Sequence, residues 1–321
     1  MEKINVVFGK IFKNREFSLV AVLVVMGLIM GLSTNYFFKF ANLNSILLGL
    51  TVEGVIVIGM VILLISGGLD LSVGSTMCMT GVIVGLCLQA GLPIILSIVI
   101  ALSVAVSIGF VNGMLIAKLN LNPFITTLGM SIAVRGLLLI ISDGKSVLNL
   151  PESFNIIGRG KLFGIQYPVY VMIILVIIVD YILRRNRYFR QSYYVGGNEK
   201  AARLNGIQVE RVKIVNYILS ALCAGIVGIM LTARFGSASV TVGQNTALIV
   251  ITASIIGGAS LNGGKGTIAG AFLGALFLQV LSSSLNLLGV DINYQSFITG
   301  LILIIAIIMD VVNEKHEAKA S

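Results

Sequence analysis

Long apolar runs joined by short polar connections make up most of this chain. At the length a membrane-crossing helix needs, about 20 residues, the runs predict helices over 17–33, 46–66, 71–89, 93–117, 121–141, 167–184, 214–233, 244–259, 267–288 and 294–312. Glycine and polar residues interrupt the third and the eighth. The expected fold is all-α: a polytopic membrane protein of about ten transmembrane helices, forming one domain over residues 1–321. One connection breaks the pattern. Residues 184–213 form a polar island with eight basic residues, opposed only by Glu199 and Glu210.

Composition agrees with a membrane protein. The 321 residues are 57% hydrophobic and 11% charged, against roughly 25% charged in soluble domains. A soluble core cannot hide that much apolar surface. The formal charge of +9 raises the question of nucleic acid, but the basic residues lie in short loops. That is the bias of Lys and Arg toward cytoplasmic loops. Lys3, Lys10, Lys13 and Arg15 place the N-terminus inside. Ten crossings then put Lys118, the island and the tail with Lys315 and Lys319 inside. The 142–166 loop, with Asp143, Lys145, Glu152, Arg159 and Lys161, falls outside. Both termini are therefore expected to be cytoplasmic. The first apolar run has no clear cleavage site, so it reads as a membrane helix rather than a signal peptide.

Catalytic and metal chemistry find little support. Cys78, Cys87 and Cys223 lie inside apolar runs without C-x-x-C spacing, and the one histidine, His316, is in the charged tail. No zinc or histidine-based site is expected. GGASLNGGKGT (Gly257–Thr267) has the look of a phosphate loop. That motif needs Gly at 259 and Ser or Thr at 266, where this chain has Ala259 and Gly266. A tight turn between helices is the better reading, with no nucleotide site in this chain.

Polar groups inside the apolar runs are the candidates for a solute path. GGLDLSVGS (Gly67–Ser75) sets Asp70, Ser72 and Ser75 beside two helix-breaking glycines. Ionisable groups at membrane depth usually face a cavity or a partner. Asp70 equally suits the N-terminus of the next helix, where an acid is favoured. This stretch is echoed by GGASLNGGKG, as in transporters built from repeats with broken helices; chance likeness of two glycine-rich turns explains the echo as well. NPFITTLG adds Asn122, Thr126 and Thr127, and QNTALIVITAS adds Gln244 and Asn245. Such amides and hydroxyls suit a hydroxylated solute without full charges. Glu53 and Arg135 stand within apolar runs. They either pair with each other or lie near membrane ends, with Arg135 snorkelling. Gly266, Gly270 and Gly274 lay a smooth stripe for close helix packing.

The island has its own logic. Gly196-Gly197 ends an extended approach, Asn198 is a good N-cap, and Glu199 stands in the first turn where the helix dipole favours an acid. Lys200 to Leu204 favour helix, and Gly206 suits a left-handed stop. The expected helix has about two turns, too short to be stable alone, so it must dock on something.

GGNEKAARLNGI resembles the cytoplasmic coupling-helix segment of ABC-transporter permeases, whose importer signature reads roughly E-A-A-x-x-x-G. Ala201-Ala202 and Gly206 match it. Glu199 is displaced by one, with Lys200 in the acid position, a departure typical of ribose-type monosaccharide importers. ISGGLDLSVGS, NPFITTLGM with Arg135-Gly136, and IGGASLNGGKGTIAGAFLGALFL resemble the same branch, in order along nearly the whole chain. The resemblance implies a bacterial inner-membrane subunit that pairs with a second permease, identical or not. The path would run along their interface. Cytoplasmic ATPase subunits would hold ATP and Mg, and an extracytoplasmic binding protein would deliver a monosaccharide or similar neutral solute. This subunit would do no covalent chemistry and hold no cofactor or metal. The ATPase contact would comprise Gly197, Asn198, Glu199, Ala201, Ala202, Gly206 and Ile207. The rival reading is an ion-coupled secondary carrier using Glu53 or Asp70. A standalone carrier has no duty for a capped docking helix.

Overall fold

A computed structural model describes residues 15–320, apart from the side chains of 309 and 313–320. Lys3, Lys10 and Lys13, and the side chains of Lys315, His316 and Lys319, lie outside it. Among the described residues there are thirteen helices: α1 Arg15–Ser33, α2 Phe40–Ile65, α3 Val73–Gln89, α4 Ile94–Lys118, α5 Pro123–Ile141, α6 Glu152–Arg159, α7 Tyr167–Arg185, α8 Arg187–Gly197, α9 Glu199–Leu204, α10 Val209–Phe235, α11 Thr246–Ile256, α12 Ile268–Leu287 and α13 Ile292–Ala320. A two-strand hairpin, β1 Lys161–Leu162 and β2 Ile165–Gln166, stands between α6 and α7.

Eight of these helices are long and apolar enough to cross a membrane. The other two predicted spans are α3, of 17 residues, and α11, of 11 residues. At 1.5 Å per residue α11 covers about 16 Å, half of a ~30 Å hydrocarbon layer. The glycines that interrupt these runs cut both helices short, and irregular backbone adjoins each of them.

Contacts sort the connections onto two ends of the bundle. At the end carrying the island, Thr267 donates to Glu16 (2.6 Å), Gly264 N–H to Ile65 O (2.8 Å), and Leu261 N–H to Asp310 (3.3 Å). At the far end Ser283 donates to Asn42 (2.9 Å), Gln89 to Leu148 O (2.9 Å), and Arg159 to Arg234 O (2.8 Å). The two groups of connections are those that alternate crossings of the chain would bring together. α10 is the axle, packing against α4, α3, α2 and α6. Small residues let it in close: a Cβ on Gly109 or Gly113 of α4 would meet the backbone of Tyr217, Ile218 or Ile214. The stripe on α12 does the same, since side chains at Gly270 and Gly274 would overlap carbonyls of Gly257 and Ala253.

Two parts of the sequence reading change. The approach to Gly196-Gly197 is the helix α8, not an extended strand. Asn186 caps it by accepting from Tyr188 N–H (2.8 Å), and Phe189, Ser192, Tyr193 and Val195 turn inward at helical spacing. The 142–166 connection, read as a plain loop, folds into α6 and the hairpin, with α6 packed on the last turns of α10.

Candidate functional site

The first break is Ser66–Ser72, between α2 and α3. Gly67 has a left-handed φ of +74°, which releases the chain from helix. Side chains from neighbouring elements then partner several of the freed polar groups. Tyr217 Oη accepts from Leu69 N–H (3.3 Å) and donates to Leu69 O (3.0 Å), while Thr127 Oγ1 accepts from Leu71 N–H (3.1 Å). Asp70 Oδ1 accepts from the amide and hydroxyl of Ser72 (2.8 and 2.6 Å), and Asn112 donates to the Ser72 hydroxyl (2.9 Å). Irregular backbone at membrane depth needs this enclosure. Asp70, Ser72, Ser75 and Thr127, expected on a solute path, are all buried here between helices.

The second break is a non-helical limb, residues 236–245, between α10 and α11. It starts at the far end, where Val147 and Ala238 pair backbone to backbone (2.8 and 2.9 Å). It then descends along α3: Ala238 lies by Gly85, Ser239 O accepts from Cys78 Sγ (3.2 Å), and Gly243 meets Gly74 backbone to backbone. Eleven residues of α3 separate those contacts, a drop of roughly 16 Å into the membrane. Arg135 holds the limb from the other side. Its guanidinium donates to Val240 O (2.7 Å) and Val242 O (2.9 Å). Glu53 and Arg135 therefore form no ion pair. Glu53 is half-buried on α2, and its Oε2 has no hydrogen-bond partner.

The limb's outer side stays open. Thr241, Gln244 and Asn245 are exposed. On the neighbouring α5, Asn122 is exposed and Thr126 half-buried, so the expected path residues divide between an interior cluster and an open polar face. Beside Asn245 lies a groove of about 400 Å³ between α11, α12 and α13, with Thr252, Gln295, Ser296 and Thr299 on its walls. The sequence reading missed these α13 residues because the run around them scored as an ordinary apolar span.

The island forms the third feature. Asn198 caps α9 by accepting from Ala201 N–H (2.9 Å), and Gly206 ends it at φ +78°. Glu199 accepts from Arg203 (3.0 Å) and Lys213 (2.7 Å), and Arg203 also pairs with Glu210. These pairs tie α9 to the first turn of α10. Partial burial pushes the Glu199 carboxyl up, but the hydrogen bonds from Lys213 and Arg203 outweigh it and hold the group below its ordinary range. The Glu210 carboxyl is lowered by its own backbone amide and then by Arg203. Ala202 and Ile207 turn inward against Val195, Val209 and Val212, while Gly197, Asn198, Ala201 and Gly206 face out. The outward residue that sequence reasoning overlooked is Leu204, 90% exposed at the end of α9. A groove of about 480 Å³ opens beside it, between Tyr193, Tyr194, Asn198 and Ala201. Gly196 wedges between two segments, since a Cβ there would overlap Ile65 O and crowd Gly264 N.

Residues 42–307 match the permease component family of branched-chain amino acid transport systems. This chain belongs to that family. Among its relatives, the ribose import permease protein RbsC of Escherichia coli (strain K12) is 36% identical over 307 residues, covering 94% of this chain and 95% of the relative. RbsC of Bacillus subtilis (strain 168) is 35% identical over 290 residues, 90% of each chain. The L-arabinose ABC transporter permease protein AraH of Azospirillum brasilense is 34% identical over 297 residues, covering 92% and 87%. No solved structure matches the chain. The permease is thus the membrane component of an ABC importer in the inner membrane, not an enzyme.

Proposed function

We propose that this permease carries a pentose or closely similar neutral monosaccharide, and that it does so as one of two paired membrane subunits. Its relatives named for ribose and L-arabinose support the solute class. The uncharged limb and groove agree, since neither carries an ionisable side chain at its open surface. Thr241, Gln244 and Asn245 are polar, exposed and on irregular backbone at membrane depth. Lipid does not tolerate that surface; water and a second permease subunit do. The path therefore runs along the limb face between the two subunits.

Coupling is assigned to α8 and α9, on the cytoplasmic side. The observation that carries this reading is α9 itself. A six-residue helix has no stability of its own, yet this one is capped, ion-paired to α10 and packed through Ala202, with Leu204 held out to solvent. That construction presents a contact to a cytoplasmic ATPase, which binds the ATP and Mg; an extracytoplasmic binding protein brings the sugar. The carrier reading through Asp70 fits poorly, because Asp70 is fully buried and closed onto Ser72. The test is ATP hydrolysis by the assembled complex in nanodiscs. Sugar-loaded binding protein stimulates it in this account. A permease that assembles with no ATPase contradicts it.

A further inference from the structure

The groove beside Asn245 gathers one amide and three hydroxyls whose hydrogen-bond directions can be read. Gln295 Nε2 donates both its protons, to Asn286 Oδ1 (2.8 Å) and to Val290 O (2.9 Å). Val290 O is a carbonyl and can only accept, so it fixes which end of the amide is nitrogen. The amide oxygen Oε1 is left as an acceptor. The hydroxyls follow the same rule. Thr252 donates to Leu248 O (2.7 Å), Ser296 to Ile292 O (3.1 Å), and Thr299 to Gln295 O (2.9 Å). Each proton is committed to the helix backbone, and each oxygen keeps lone pairs free. Hydroxyls bonded this way are tolerated beside lipid. An amide such as Gln295 or Asn245, next to irregular backbone, is not.

We propose that this groove, where Asn245, Thr252, Gln295, Ser296 and Thr299 stand among Leu248, Ile249, Ile292 and Leu303 that can meet a sugar's C–H face, is a transient subsite for a neutral polyhydroxylated solute. The proposal rests on the permease reading above and adds where along the path the solute is held. An acceptor-rich, uncharged wall matches a sugar, whose hydroxyls bring the donors. It disfavours phosphorylated sugars, because phosphate oxygens bring only acceptors and charge to a surface with no cation. The volume, about 400 Å³, lies in the usual range of small-molecule sites, ~300–1,000 Å³. Gly300 has open space where a Cβ would stand, so the groove floor stays clear beside Thr299.

Two measurements on the complete importer in proteoliposomes test this. In the first, Thr299→Cys is treated with a membrane-impermeant thiol reagent and compared with the wild type, whose Cys78, Cys87 and Cys223 set the background. Labelling above background, slowed by whichever of D-ribose and L-arabinose the wild type accumulates, is the expected result. No labelling means lipid or protein covers the groove and overturns the proposal. Labelling that neither sugar slows leaves a water-filled groove and also overturns it. In the second, Gln295→Leu lowers sugar uptake about tenfold, the loss of one well-placed hydrogen bond, while the permease still co-purifies with ATPase and binding protein as the wild type does. Unchanged uptake overturns the subsite. A wild type that accumulates neither sugar with ATP sinks the pentose assignment instead, and the labelling with reagent alone still tests water access to the groove.

Discussion

Leu204 stands at the last turn of α9 with 90% of its surface exposed, next to a groove that can take a partner's side chain in return. Burying an exposed leucine side chain against a partner is worth about 1.5–3 kcal/mol. Leu204→Ala therefore weakens ATPase binding by about tenfold, read as a Kd in detergent, with no change in thermal unfolding. An unchanged Kd removes Leu204 from the contact. Gly206→Val acts differently. The left-handed φ of +78° costs a β-branched residue on the order of 1–3 kcal/mol, enough to disorder the end of α9. Membrane assembly is retained and ATP-coupled uptake is lost; uptake at the wild-type rate contradicts the docking role. The Glu199 and Glu210 carboxyls are both lowered from 4.5. Their pairs therefore stabilise the island at every pH above that value and fail only as pH falls through the lower folded values. ATPase binding should then be flat between about pH 8 and 5, and a loss near neutrality would show that these pairs do not hold the island.

Among elements, the limb depends on one side chain. Arg135 supplies two charge-assisted hydrogen bonds to limb carbonyls, each worth about 1.5–3 kcal/mol. Arg135→Ala should cost about 3 kcal/mol, seen as a lower Tm in detergent together with lost uptake. Arg135→Lys restores charge but not the planar fork, and should recover Tm only in part. Full activity in both variants would show that the limb stands without Arg135. The sequence marks ten apolar runs because apolar length is a strong signal, and eight of them are helices long enough to cross a membrane. It also flagged the third and eighth runs, and those are α3 and α11. It could not foresee how the irregular backbone beside them is held. The partners of Leu69 and Leu71 are Tyr217 and Thr127, far along the chain, and no local pattern reveals such pairings. α8 was legible in principle, since Phe189, Ser192, Tyr193 and Val195 share one helical face. The run of basic residues around them obscured it. The expected path residues divide for a physical reason: polarity marks both a sealed break, as at Asp70 and Ser72, and an open surface, as at Gln244 and Asn245. Only burial separates the two.

At the scale of the molecule, the island and the limb belong to one connected body. Glu199 and Arg203 tie α9 to α10, and Gly196 wedges against the Ile65 carbonyl and the Gly264 amide. From there the chain continues into α2 and its sealed break, and back through the 257–266 turn to α11, whose other end is Asn245. A push on α8 and α9 thus has short routes to both breaks, across the packing contacts of Gly196 and then along the chain. The account's central claim is that ATP hydrolysis by a partner drives solute across this chain. Uptake of labelled pentose into proteoliposomes holding permease, ATPase and binding protein tests it most directly. The account predicts accumulation with internal or external ATP supplied to the ATPase face, and none when only a proton or sodium gradient is imposed. Gradient-driven accumulation without ATP or the ATPase would contradict it.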